Sequence, residues 1–138
     1  MNYTDTLIQR VKNSSRIIGI SIVEEGGLYR LPFPVPEPYA VLMSGRENRE
    51  FLLGNDAPVT EEKLVIKVIC SETDGAQVCV EAAKELCTAL VTLDEEKRVT
   101  GFSVSGCSFN NDLVCYETGI TVGLREYSVS GGDDNRDQ

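Results

Sequence analysis

The sequence predicts an α+β fold: a mostly antiparallel sheet with one long helix, at about residues 74–93, and a short N-terminal helix packed on it. Two patterns predict this class. A segment with alternating apolar residues precedes an amphipathic helix, and further alternating segments lie on both sides of that pair. A chain of 138 residues is long enough to bury a real core. We therefore expect a single domain over residues 1–127.

The first helix is predicted from Thr4 or Asp5, either of which can cap it, to about Asn13. Residues 16–23 are rich in β-branched side chains and are compatible with a strand. They are also compatible with an extension of the helix that Gly19 would end. The sequence leaves both alternatives open.

Three successive strands are expected before the long helix. A proline-rich segment at residues 32–38 must be extended, and it leads into a strand at 39–43. The second strand is predicted within 46–54, and residues 55–58 form a loop before the third, which begins near Glu61. In this third strand the core face is formed by Leu64, Ile66, Val68 and Cys70. The opposite face mixes Lys63, Val65, Lys67 and Ile69, so we expect it to be partly covered.

The long helix is predicted to begin at Asp74, because Asp74 and Gln77 have the spacing of a capping box. Its apolar stripe consists of Cys79, Ala83, Leu86, Leu90 and Leu93. Two more strands follow, at 98–106 and 114–127, and Gly119 and Gly123 are candidate bulge positions in the last one. Residues 128–138 are acidic and nearly devoid of large apolar side chains, which predicts a disordered tail.

The charge balance argues against nucleic acid and membrane surfaces as partners. Thirteen Lys and Arg against 22 Asp and Glu give a formal net charge of -9, which repels phosphate groups. No apolar run approaches the ~20 residues that span a bilayer, and the first residues do not resemble a signal peptide. We therefore expect a cytoplasmic protein that contacts neither nucleic acid nor membrane.

Conventional catalytic and metal-binding patterns are missing from the sequence. The chain contains no histidine, which excludes Cys-His and Ser-His-Asp machinery within one chain. The five cysteines show no metal-ligand spacing, so we expect reduced thiols in or near the core. Paired glutamates at 24–25, 61–62 and 95–96 flank predicted elements, where solvated charge is ordinary. We expect no catalytic residue, cofactor or metal site.

Three local patterns suggest a family. They are the entry Pro36-Glu37-Pro38-Tyr39-Ala40-Val41 into a strand, the strand at 62–69 followed by a helix from Asp74, and the closing strand at 118–124. In this order of elements the chain resembles the tail-terminator and neck (head–tail joining) proteins of long-tailed bacteriophages and prophages. The resemblance implies a non-catalytic subunit of a six-membered ring that caps the tail tube and joins it to the head. It implies tail-tube and head-connector proteins as partners, and the host bacterial cytoplasm and the virion as locations.

One mixed-charge segment is the candidate interface for such a ring. Arg46, Glu47, Arg49 and Glu50 place both charge signs in a predicted loop or hairpin, where they can contact another subunit or the tube. A solvated loop is the alternative for this segment. Two other functions also remain open: a small ligand-binding or regulatory α+β domain, and a histidine-free enzyme that uses Cys107 or Cys115.

Overall fold

The computed structural model of the chain describes residues 3–14, 19–24, 35–36, 38–42, 47–52 and 58–127. These residues form two helices and one mostly antiparallel sheet, which confirms the predicted α+β class. The predicted tail at 128–138 lies outside the described residues, as does most of the proline-rich segment.

Both predicted helices are present. Helix α1 spans Tyr3–Asn13 and helix α2 spans Gly75–Leu93. Helix α1 buries Tyr3, Thr4, Leu7 and Val11. Helix α2 buries Cys79, Ala82, Ala83, Leu86 and Leu90, which confirms the predicted stripe and adds Ala82 to it. Leu93 is only partly buried, at the end of the helix.

The start of α2 differs from the predicted capping box. Asp74 already has helical backbone angles, φ -67° and ψ -33°, and its side chain makes no capping hydrogen bond. A capping side chain needs an extended backbone to reach the first free amides, so these angles prevent the bond. Instead, the Asp74 amide donates to Ser71 Oγ at 3.0 Å. The Gln77 side chain donates to Glu81 Oε2 at 3.2 Å.

The described residues form seven strands, and the two longest of them make up a central pair. Strands β4 (Pro58–Ser71) and β7 (Cys115–Tyr127) pair antiparallel over nearly their whole length. Strands β2 (Tyr39–Leu42) and β3 (Glu47–Leu52) follow each other along the other edge of β4. In the same way, β5 (Val99–Val104) and β6 (Ser108–Asn110) share the other edge of β7. Strand β1 (Ser21–Glu24) pairs with β2 in the parallel direction.

Several strand predictions need correction. Residues 21–24 form β1, which agrees with the strand alternative for residues 16–23, so four strands precede α2 among the described residues. Strand β4 begins at Pro58, which was predicted to lie in a loop, because pairing with β3 extends it backwards. Strand β6 was not predicted, since three residues are too short for alternation to show.

The main core lies between the two helices and one face of the sheet. It contains the predicted face of β4, the matching residues Ile120, Val122 and Leu124 of β7, and the buried stripes of both helices. A smaller cluster covers part of the opposite face and consists of Val35, Val41, Ile69 and Cys115. Val65 on that face stays 40% exposed, so the expectation of partial cover is confirmed.

The predicted bulge lies opposite Gly123 rather than within β7. Strand β7 keeps an unbroken register with β4, whereas β5 shifts register between Val99 and Gly101. A Cβ atom on Gly123 would lie 2.7 Å from Thr100 Oγ1, so glycine leaves room for the bulged residue. At Gly119 the neighbour is Ser105, whose Oγ accepts the Gly119 amide at 2.8 Å.

Candidate functional site

The structure places three of the four predicted interface residues on β3. Glu47, Arg49 and Glu50 pair through their backbones with Lys63, Glu61 and Thr60 of β4. Arg46 lies outside the described residues. Residues 47–52 of the mixed-charge segment therefore form a paired strand.

The strand register extends this charge pattern across three strands. Arg49 of β3 is opposite Glu61 of β4, and Glu61 is opposite Arg125 of β7. The register therefore places residues of opposite charge in neighbouring positions at this end of the sheet. Arg125 is the member that sequence reasoning missed, because the pairing of β4 with β7 is not local.

The edge strand β5 is a second candidate contact surface. Within the described residues β5 pairs only with β7, and none of its residues carries a charge. Val104 is 46% exposed at its end, and Phe109 of β6 is 36% exposed nearby in the chain. An uncharged edge strand presents unpaired amides and carbonyls to another chain. This edge could not be chosen from the sequence, because alternation does not reveal which strands are outermost.

A buried carboxylate, Asp94, joins α1 to the end of α2. Asp94 is 4% exposed, and its Oδ1 accepts the Tyr3 hydroxyl at 2.7 Å. The amides of Arg98 and Val99 donate to its two oxygens at 2.9 Å each. Burial opposes ionisation, but these three hydrogen bonds outweigh it and hold the pKa of Asp94 below its usual range. Burial and the bond to Asp94 raise the pKa of Tyr3.

Arg10 extends the hydrogen-bond network around Asp94 and Tyr3 toward the solvent. One guanidinium nitrogen donates to the Tyr3 hydroxyl at 3.2 Å and to the Leu93 carbonyl at 3.0 Å. The other pairs with Glu96 at 3.3 Å. Since both Asp94 oxygens already accept donors from the chain itself, the arrangement fastens α1 to α2 and offers little to a ligand.

The five cysteines all belong to the described residues, and all are free thiols. Cys70, Cys79 and Cys115 are buried, whereas Cys87 and Cys107 are partly buried. Burial raises the pKa of Cys115 to about 11 and also raises the pKa of Cys107. These are the two cysteines considered as nucleophiles, and a raised pKa leaves little of the reactive thiolate at neutral pH.

A shallow cavity of about 480 Å³ lies along the outer side of α2. Ser14, Lys84, Glu85, Thr88, Ala89, Thr92 and Leu93 line it. The hydroxyls of Thr88 and Thr92 donate to carbonyls of their own helix, at 3.1 Å and 3.0 Å. Most of the surface that faces the cavity is apolar, and its charged lining residues are Lys84 and Glu85.

The described residues contain neither a metal-binding cluster nor a helix that could cross a membrane. Within them, no group of three or more Cys, Asp or Glu side chains is arranged to hold a metal ion. Neither α1 nor α2 is both long enough and apolar enough to cross a bilayer.

Comparisons with known proteins show which solved structure this fold is similar to. No protein-family model matches the chain, and no curated protein matches it. Among solved structures, the chain is similar to a chain from the virion of a native gene transfer agent (GTA) particle. The two share 15% sequence identity with a TM-score of 0.59, and the match covers 88% of this chain and 92% of the other. At this identity the comparison shows a shared fold.

Proposed function

We propose that this chain is a structural component of a phage-like particle and acts by assembly. The observation that carries the proposal is the extent of the fold match with the gene transfer agent virion chain. It covers 88% of this chain and 92% of that one, so the similarity involves nearly all of both chains. A gene transfer agent is itself a phage-like particle. The chemistry of the described residues agrees with this role, because their best-organised polar group, around Asp94, is saturated by internal hydrogen bonds.

The more specific role that we propose is that of a tail terminator. Such a subunit forms a ring on the end of the tail tube, stops its growth and joins it to the head. The support is the resemblance described above, together with a sheet that has an uncharged outer strand and a mixed-charge hairpin on the other side of the central pair. Ring formation would place the edge strand β5 of one copy against a neighbouring copy.

Electron microscopy of polymerising tail-tube protein tests this role. Tubes grown with the chain should have controlled lengths and a ring at one end, whereas tubes grown alone should not. Uncontrolled lengths with no terminal ring would contradict the terminator role. In that case, binding to head-connector protein would favour a neck protein, and binding to neither would contradict a role in the particle.

A small-molecule-binding domain is the alternative from another class. Its best support is the cavity along α2, yet two of the three hydroxyls that line the cavity are engaged in the helix. Binding energy there would come mainly from apolar contact, which gives weak orientation of a ligand. We therefore favour assembly over ligand binding.

A further inference from the structure

The turn between β6 and β7, at residues 111–114, presents an apolar side chain on a strained backbone. Val114 has φ +53°, and its side chain is 48% exposed. A positive φ is a genuine outlier for a β-branched residue, because the left-handed region brings Cβ close to a backbone carbonyl. Glycine or asparagine is the usual residue in that region. Val114 also belongs to neither apolar cluster of the described residues, so the valine does not serve the core.

Hydrogen bonds and packing hold the β6–β7 turn in one shape. Asn110 Oδ1 accepts the amides of Asp112 and Leu113 at 2.9 Å and 3.0 Å. The side-chain amide of Asn110 donates to Glu117, and Leu113 packs against the smaller apolar cluster. A surface that is already ordered loses little conformational freedom when it binds. The exposed side chain of Val114 is therefore well placed for contact with another molecule.

The cavity along α2 has the properties of a receptor for this turn. Its surface is mostly apolar, and its volume of about 480 Å³ is large enough for the Val114 side chain of a second copy. The charged residues that line it are Lys84 and Glu85. On the β6–β7 turn, Asp112 and Asn111 are both exposed. A carboxylate complements Lys84, and an amide that donates hydrogen bonds complements Glu85.

The turn and the cavity lie toward opposite ends of α2. Cys115, which follows Val114 directly, is opposite Ser71, and α2 begins shortly after Ser71, at Gly75. The α2 residues that line the cavity belong instead to its second half, from 84 to 93. Two complementary patches at different places on one fold meet only between copies. Such a head-to-tail contact closes into a ring or extends into a filament.

We propose that Val114 of one copy inserts into the α2 cavity of a second copy, with Asp112 beside Lys84 and Asn111 beside Glu85. This contact extends the assembly role proposed above and is separate from the contact through the edge of β5. The contact explains the choice of residue at the strained position, because glycine or asparagine would suit the backbone better but would leave the cavity unfilled.

Sedimentation velocity of the full chain at high salt tests the role of Val114. Val114→Asn suits the left-handed backbone and removes the apolar contact. Its denaturation midpoint should equal or exceed that of the parent, whereas its self-association should weaken by about tenfold or more. Val91→Asn is the matched control, because Val91 is 51% exposed on α2 and does not line the cavity, and it should associate as the parent does. A lower midpoint for Val114→Asn, or association as strong as the parent's, would overturn the proposal.

A second variant tests the cavity as the receptor. Ala89→Gln places a polar, helix-compatible side chain in the cavity and should weaken self-association as Val114→Asn does. Each variant keeps the patch that the other lacks. An equimolar mixture should therefore form mixed complexes more strongly than either variant associates with itself. A mixture that associates no better than its components would overturn the cavity as the partner of Val114.

A charge exchange tests the orientation of the contact. Asp112→Lys and Lys84→Asp should each weaken self-association, and the chain that carries both should recover it. Failure of the double variant to recover would overturn the proposed pairing, and a parent chain that stays monomeric at every salt concentration would overturn the contact itself. These tests use isolated chains without tail-tube protein. The contact can therefore fail while the terminator role holds, and the reverse outcome is equally visible.

Discussion

At the scale of single residues, Asp94 shows how one carboxylate can organise a helix end. It follows the last residue of α2, and its two oxygens accept the Tyr3 hydroxyl and the amides that lead into β5. The buried charge is stabilised by three donors, one from α1 and two from the backbone. The side chain therefore joins the start of α1 to the turn between α2 and β5, two segments that are about 90 residues apart in sequence.

We expect Asp94→Asn to destabilise the protein by about 1–3 kcal/mol at neutral pH, because an amide cannot accept all three donors. The pKa of Asp94 is lowered in the folded state, so its contribution is present above the ordinary value near 3.8. It is lost as the pH falls through the lower folded pKa. Urea denaturation from pH 7 to pH 2 should therefore show the variant converging on the parent at the acid end. A destabilisation that is the same at every pH would contradict this account.

Gly123 makes a second residue-scale prediction. A Cβ atom there would lie 2.7 Å from Thr100 Oγ1, so Gly123→Ala should cost about 1–3 kcal/mol through overpacking. Gly101→Ala is the matched control in the neighbouring strand, because its Cβ would meet nothing within 4 Å. Adding Thr100→Ala should restore most of the stability lost in Gly123→Ala. Denaturation midpoints measure all three, and an absence of rescue would exclude Thr100 as the cause.

At the scale of elements, the start of α2 depends on Ser71 rather than on a capping aspartate. Ser71 is buried at the end of β4, and its Oγ accepts the Asp74 amide at 3.0 Å. We expect Ser71→Ala to cost about 1 kcal/mol, the usual effect of losing such a bond. Asp74→Ala should stay within about 0.5 kcal/mol, since its side chain makes no capping bond. Chemical denaturation compares the two, and a larger loss for Asp74→Ala would support the capping box instead.

The elements that the sequence predicted correctly are those fixed by local patterns. The alternation in residues 64–70 puts apolar side chains on one face of a strand, and the spacing in α2 puts them on one face of a helix. These faces depend only on local geometry, and both are buried as expected. The capping box failed because backbone angles, which the sequence does not show, decide whether Asp74 can cap. The parallel pairing of β1 with β2 depends on segments that are distant in sequence.

The candidate sites also divide into features that are visible in the sequence and features that need the fold. The mixed charge of Glu47, Arg49 and Glu50 is visible in the sequence, whereas the partner Arg125 becomes visible only with the register of β4 and β7. The contact between the Cys79 sulfur and Thr118 Oγ1 at 3.4 Å also depends on the fold, because it forms only when α2 packs on β7. No spacing rule for cysteines describes it.

At the scale of the whole molecule, the net charge opposes the self-association that we propose, whereas a contact through the edge of β5 would favour it. A formal net charge of -9 makes copies of the chain repel each other in dilute buffer. Dissolved salt shortens the range of that repulsion, from about 10 Å at 0.1 M to about 3 Å at 1 M. The contact that we propose through the uncharged edge of β5 would be apolar and hydrogen-bonding, so salt should weaken it much less. Self-association should therefore increase with ionic strength.

Two valine variants separate the edge from the net charge. Val104 and Val91 are 46% and 51% exposed, the first at the end of β5 and the second on α2. Val104→Asp and Val91→Asp each add one negative charge. If β5 is the contact, Val104→Asp should weaken salt-induced association by about tenfold or more, because the new charge is buried unpaired. Val91→Asp should associate nearly as the parent does. Sedimentation velocity over a salt series measures this, and equal weakening by both variants would show that net charge, rather than the edge of β5, controls assembly.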